Sequence, residues 1–125
     1  MAEQLSAAGL PVEYEAVTFE YVKPSKPSKY TPDFVLQNGI VIETKGRFVT
    51  ADRQKHKHIK AQHPNLDIRF VFSRAATRIN KTSQTSYANW CEQYGFKWAD
   101  RRIPQAWLDE PLYPKRLQAI KDASK

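Results

Sequence analysis

The sequence predicts a single α/β domain with a mixed central sheet flanked by helices, and three observations carry that reading. Phe34-Val35-Leu36-Gln37-Asn38-Gly39-Ile40-Val41-Ile42 reads as strand, tight turn, strand. A polar helix over residues 51–63 then separates this hairpin from a strongly apolar strand, Ile68 to Phe72. Residues 85–94 form an amphipathic helix closed by Gly95. At 125 residues the chain has room for one core.

In order along the chain, Glu3 to Ala8 is expected to be the end of a short helix, stopped by Gly9 and not resumed because of Pro11. Val12 to Tyr21 alternates as a strand does. Residues 22–29, with two prolines and three lysines, are expected to be an extended, solvated connector. The hairpin follows, then the polar helix, which ends before Pro64. After the apolar strand and the amphipathic helix, Lys97-Trp98-Ala99 makes a short strand, and the tail from Pro104 is helical in two pieces. Neither an internal repeat nor a low-complexity segment is present.

Twenty Lys and Arg against thirteen Asp and Glu give a net charge of +7, which suits a polyanionic partner but does not choose one. Met1-Ala2-Glu3-Gln4 lacks the basic and apolar regions of a secretion signal, and no stretch approaches a membrane span. Cys91 is the only cysteine, so no intrachain disulfide is possible. Its setting in Tyr87-Ala88-Asn89-Trp90-Cys91 is that of a buried helix position, which points to a cytosolic protein with an inert thiol.

The chemistry concentrates in Pro32-Asp33 and Glu43-Thr44-Lys45. Carboxylates are hard oxygen ligands suited to Mg²⁺, and an ammonium beside them can help activate water or offset charge on an attacked phosphodiester. Strand alternation puts Glu43 and Lys45 on one face and Thr44 on the other. This is the spacing of the PD-(D/E)XK nucleases. The bland alternative has Asp33 capping a turn and Glu43 paired with Lys45 for a few tenths of a kcal/mol, about what an exposed ion pair contributes. Register decides whether the set can assemble. A two-residue turn at Asn38-Gly39 would pair Asp33 with Thr44 and turn it away from Glu43. A three-residue loop, Gln37-Asn38-Gly39, with Gly39 left-handed in a bulge, brings Asp33 opposite Glu43, and that geometry is expected.

Arg53, Lys55, Lys57 and Lys60 follow on the next helix, and Arg74, Arg78 and Lys81 extend the basic surface after the apolar strand; these seven are the expected DNA contacts. His56 and His58, two apart, diverge on a helix and do not suit zinc, while His63 before Pro64 is expected to cap or pack. Trp90, Trp98 and Trp107 are expected in the core rather than as stacking platforms. A basic RNA-binding domain would need an aromatic signature that the chain lacks.

The run Tyr30-Thr31-Pro32-Asp33-Phe34, then Asn38-Gly39-Ile40 and Glu43-Thr44-Lys45-Gly46, resembles the phage endonuclease I family of Holliday-junction resolvases. The likeness continues through Asp52-Arg53, His63-Pro64, Leu66-Asp67-Ile68-Arg69, Thr85-Ser86-Tyr87 and Ala99-Asp100 to Ile103-Pro104 and Trp107. It implies a PD-(D/E)XK core in a domain-swapped homodimer, with residues 22–29 as the bridge between subunits. It also implies a Mg²⁺-dependent endonuclease, with Mn²⁺ able to substitute, that resolves four-way junctions and other branched DNA in the cytoplasm of the phage's bacterial host. In that reading Asp33, Glu43 and the Thr44 carbonyl hold the metal and Lys45 sits beside the attacking water. A stiff 22–29 connector would discourage the first strand from folding back on its own hairpin, favouring exchange. The resemblance further implies a glutamate on an N-terminal helix, upstream of the segment matching Glu3-Gln4-Leu5, where this chain starts too late to include it. The alternative is therefore a weakly active or inactive junction-binding protein, or a nickase.

Overall fold

The apolar run Val41-Ile42, buried on both faces, fixes the centre of the sheet, because a strand covered on two faces must sit between two layers. The structure, a computed structural model, describes residues 12–14, 18–23 and 26–124. Five strands form the main sheet: β1 (Val12–Tyr14), β4 (Phe34–Leu36), β5 (Val41–Lys45), β6 (Ile68–Phe72) and β7 (Lys97–Asp100), side by side in that order. β1 and β5 pair antiparallel with β4, whereas β5, β6 and β7 run parallel. The parallel steps are made by helical crossovers, α1 (Thr50–Gln62) between β5 and β6 and α2 (Tyr87–Tyr94) between β6 and β7. The mixed sheet flanked by helices is the predicted class.

The hairpin register is the predicted one. Phe34 faces Ile42 and Val35 faces Val41, so the same ladder carried on sets Leu36 opposite Ile40 and Asp33 opposite Glu43. The Gly39 N–H bonds the Leu36 carbonyl and the Leu36 N–H bonds the Ile40 carbonyl, both at 2.9 Å. Gly39 takes φ 86°, the left-handed geometry the loop demands.

Two cores follow from the alternation. Val35, Val41, Phe70 and Phe72 join Phe48, Ile59, Trp90 and Phe96 on the α1 and α2 side. Phe34, Ile40, Ile42 and Val71 meet Trp107 and Leu108 of α3 (Gln105–Asp109) on the other side. A last helix, α4 (Pro114–Ala123), completes the two-piece tail. Helix α2 begins with a Ser86–Asn89 capping box and ends at left-handed Gly95. Cys91 is buried on it, and burial pushes its thiol up to about 12, so the thiol is inert.

Residues 12–23 and 22–29 differ from expectation. The continuous strand from Val12 to Tyr21 is two pieces, β1 in the main sheet and β2 (Phe19–Lys23) in a separate ribbon. The extended connector is instead half of that ribbon: β2 folds back antiparallel on β3 (Lys26–Tyr30), with Val22 opposite Pro27. Proline is tolerated there because each strand of a two-stranded ribbon has a free edge needing no donor. Gln62 clamps the ribbon to α1 through both the N–H and the carbonyl of Val22, at 2.6 Å each, and a His63 ring nitrogen meets the Glu20 carbonyl. Within the single chain β1 lies on its own β4, so the fold-back that the proline segment was expected to oppose does occur. The helix expected at Glu3 to Ala8 falls outside the described residues.

Candidate active site

The bulged register brings Asp33, at the mouth of β4, across from Glu43 on β5. One Asp33 oxygen, Oδ2, accepts from both the Thr44 N–H and the Thr44 hydroxyl, at 2.8 Å each. Glu43 points toward α1, and only 6% of it is exposed. Its Oε2 accepts a 2.7 Å hydrogen bond from the Tyr30 hydroxyl, and its Oε1 lies 3.5 Å from Lys45 Nζ. Lys45 also reaches Asp52 Oδ1 at 3.4 Å. The strand face that holds Glu43 and Lys45 thus meets the first turn of α1, where an acid is favoured by the helix N-terminus.

Burial pushes the Glu43 carboxyl up to about 7, and the Asp33 charge adds to this; the Tyr30 hydrogen bond, Lys45 and Lys55 only partly oppose it. Burial and the Glu43 charge raise the Tyr30 phenol well above its ordinary value, so it stays a neutral donor. The cluster therefore contains a buried carboxylate whose charge the described residues compensate only in part. Two hard oxygen donors on facing strands with surplus negative charge are the donor set that a divalent cation fits. Among the described residues no group of three or more His, Cys, Asp or Glu gathers as a metal cage.

Beneath Tyr30 lies His56, fully buried, its ring edge-on to Tyr30 at 5.0 Å and to Phe70 at 4.8 Å. Among the described residues neither ring nitrogen has a hydrogen-bond partner, and burial lowers its pKa to about 3, so it is a neutral core residue.

The basic helix does not present one face. Successive helical residues turn by about 100°, so Lys55 and Lys57 diverge. Lys55 lies over the Tyr30 ring at 5.0 Å, beside the carboxylates. Lys57 and Lys60 lie over Tyr94 and Phe96, at 4.8 and 4.7 Å, and Lys60 also donates to the Gly95 carbonyl. Arg53 corrects the expectation of a phosphate contact: it is buried, and its guanidinium donates to the Phe48 carbonyl and the Thr50 hydroxyl, bracing the turn into α1. Arg74, Arg78 and Lys81 are exposed on the loop after β6. That loop begins at the site, since the Ser73 N–H bonds the Lys45 carbonyl at 3.0 Å.

Sequence reasoning missed the roles of Tyr30 and Asp52. Asp52 carries a signal, an acid in the first turn of a helix seven residues after Lys45. Tyr30 carries none, because its contact depends on how the ribbon packs.

A family model of phage endonuclease I matches residues 1–125. Endonuclease I of Escherichia phage T7 is 49% identical over 111 residues, covering 89% of this chain and 74% of that protein. Endodeoxyribonuclease 1 of Enterobacteria phage T3 is 48% identical over 111 residues, covering 89% of this chain and 73% of that protein.

Proposed function

Because the chain belongs to the phage endonuclease I family, we propose that it is a metal-dependent endodeoxyribonuclease of the PD-(D/E)XK type that resolves Holliday junctions and other branched DNA. The observation that carries this is the bulged hairpin, which aligns Asp33 with Glu43 and sets Lys45 one strand repeat further along the same face. Mg²⁺, for which Mn²⁺ can substitute, would be held by Asp33, Glu43 and the Thr44 carbonyl, supplying Lewis acidity and water activation. The chain's own groups do the rest. Thr44 orients Asp33 through two donated hydrogen bonds, and Tyr30 holds one oxygen of Glu43 so that the other faces Lys45. Asp52 and Glu43 together steady Lys45, whose ammonium stands where it can hold a water and offset charge on the attacked phosphodiester.

A homodimer exchanged through residues 22–29 suits this substrate, because two-fold symmetry matches the two strands of like polarity cut in a four-way junction. The β1–β4 pairing and the clamp of the ribbon on α1 are contacts that can form within a chain or between two. Light scattering at micromolar concentration separates the cases, and a monomer sinks the exchange. The setting proposed for the reaction is the bacterial host cytoplasm; among the described residues no helix is long and apolar enough to cross a membrane. The second reading is junction binding with slow cleavage or nicking, in which the same site turns over poorly.

The decisive experiment compares cleavage of a four-way junction and a linear duplex of identical sequence, with and without Mg²⁺, with Glu43→Ala as control. Junction-selective, Mg²⁺-dependent cutting that the variant lacks supports the reading. Equal cutting of both substrates removes the selectivity, and wild-type rates in Asp33→Ala, Glu43→Ala and Lys45→Ala remove the site. Junction binding without appreciable cutting by the wild type selects the second reading.

A further inference from the structure

Lys45, Phe72 and Asp100 stand in register across β5, β6 and β7. The residues that follow them, Gly46-Arg47, Ser73-Arg74 and Arg101-Arg102, therefore leave the carboxyl edge of the sheet side by side, and all are exposed. With strands about 4.8 Å apart, the end of β7 is roughly 10 Å from Lys45, well within one turn of a duplex lying on that edge.

Arg101 stands apart in this row because of its backbone. Among the described residues it is the one non-glycine with positive φ, at 71°. Glycine or asparagine adopts that conformation at less cost. The turn is pinned by main-chain groups, the Arg101 N–H on the Phe72 carbonyl at 2.7 Å and the Arg102 N–H on the Asp100 carbonyl at 2.9 Å. The arginine side chain adds little to the fold: it is 81% exposed, and its ion pair, to half-exposed Asp100, spans 3.7 Å. Asp100 is itself committed to the neighbouring loop, accepting from the Ala75 N–H at 2.7 Å, which ties the Arg74 loop to the Arg101 turn. A strained backbone thus carries a long cation into solvent beside the cleavage site, where folding alone would be better served by glycine.

We propose that Arg101 is a DNA-phosphate contact, held out from the end of β7 so that the cleavage surface extends across the carboxyl edge of the sheet from Lys45. The assignment rests on the DNA-endonuclease reading and adds to it a residue outside the basic helix. As a phosphate contact it positions the DNA without reading sequence.

The test uses the full chain in EDTA, with binding to a four-way junction and to a linear duplex measured by fluorescence anisotropy between 50 and 200 mM salt, values chosen to span the steep part of the electrostatic response. Arg101→Gly should keep or slightly raise the thermal midpoint while weakening binding about fivefold on both DNAs, with the salt slope smaller by about one. Arg101→Lys should stay near wild type in both affinity and slope. Binding by Arg101→Gly within twofold of wild type at unchanged slope overturns the proposal. So does weaker binding accompanied by a midpoint several degrees lower, provided that Arg101→Asn, which tolerates the left-handed turn, binds like wild type. Wild-type protein that binds neither DNA overturns the nuclease reading instead.

Discussion

Two charged clusters occupy opposite ends of the same sheet and are built on opposite principles. At the amino end of β6, Arg69 is 1% exposed and donates to both oxygens of Asp67 and both of Glu110. Arg116 reaches the same two acids, and Arg69 lies over the Trp107 ring at 5.2 Å. Its acids fall: hydrogen bonds from Arg69 and Arg116 hold Asp67 below its ordinary range and Glu110 down at about 2. At the carboxyl end, Glu43 rises to about 7 beside Asp33, with Lys45 shared between it and Asp52. The first cluster is satisfied and pins the tail to the sheet. The second is left short of positive charge, which is the condition for taking up a cation and a phosphodiester. A buried ionic group becomes a candidate for function when the fold does not neutralise it.

The contrast breaks most sharply under substitution of one acid at each end. Glu43→Gln keeps the Tyr30 hydrogen bond but should lower single-turnover cleavage at least about a hundredfold, leaving DNA binding in EDTA near wild type. Wild-type cleavage by this variant would place the chemistry elsewhere. At the other end, Arg69→Ala leaves Asp67 and Glu110 to Arg116 alone and should cost about 3 kcal/mol in urea unfolding, because removing one partner of a buried ion pair leaves its charge under-compensated. Arg69→Met, which removes the charge but keeps most of the volume, should cost nearly as much; a clearly smaller cost would mean that packing rather than charge matters there.

Stability against pH sharpens the comparison. The folded-state pKa of Glu43 is raised, so its contribution is present below its ordinary 4.5 and is lost as pH rises through about 7. In EDTA, Glu43→Gln should therefore be more stable than wild type at pH 8, by on the order of 2 kcal/mol, with the advantage gone below about pH 4.5. A variant less stable at both pH values contradicts the strained-carboxylate account. His56 has the reverse sign: its folded pKa is lowered, so stability present above the ordinary 6.5 is lost as pH falls toward about 3. Between pH 6.5 and 4.5 the two groups oppose each other and the wild-type profile should be flat. Relative to His56→Phe, wild type should lose about 1.4 kcal/mol per pH unit below 6.5. Parallel profiles for the two proteins would show that His56 can take a proton inside the fold.

Much of this was legible along the chain because it is set by local rules. Asn38-Gly39 marks the turn and the alternation of Phe34 to Ile42 marks the two strands, and of the two loops this turn allows, only the three-residue one sets Asp33 opposite Glu43. Pro64 and Gly95 mark helix ends that the structure keeps within a residue or two. The basic helix was legible as basic but not as to direction. Arg53 turned inward because the Phe48 carbonyl and Thr50 hydroxyl at the turn into α1 needed donors, a demand that exists only once the turn has closed.

The sequence by itself determined the α/β class, the hairpin and the spacing that gives Glu43 and Lys45 one strand face, because turn chemistry and strand alternation act between residues that are neighbours in the chain; the folded loop decided the register that sets Asp33 opposite Glu43. Tertiary structure alone decided that Tyr30 holds Glu43, that Asp52 shares Lys45, that the proline segment folds into a ribbon, and that Asp67, Arg69, Glu110 and Arg116 neutralise one another. Glu43 and Arg69 are both charged residues on buried strands. What distinguishes them is how fully the packed chain answers the charge, and for Arg69 that depends on an acid 41 positions away in sequence.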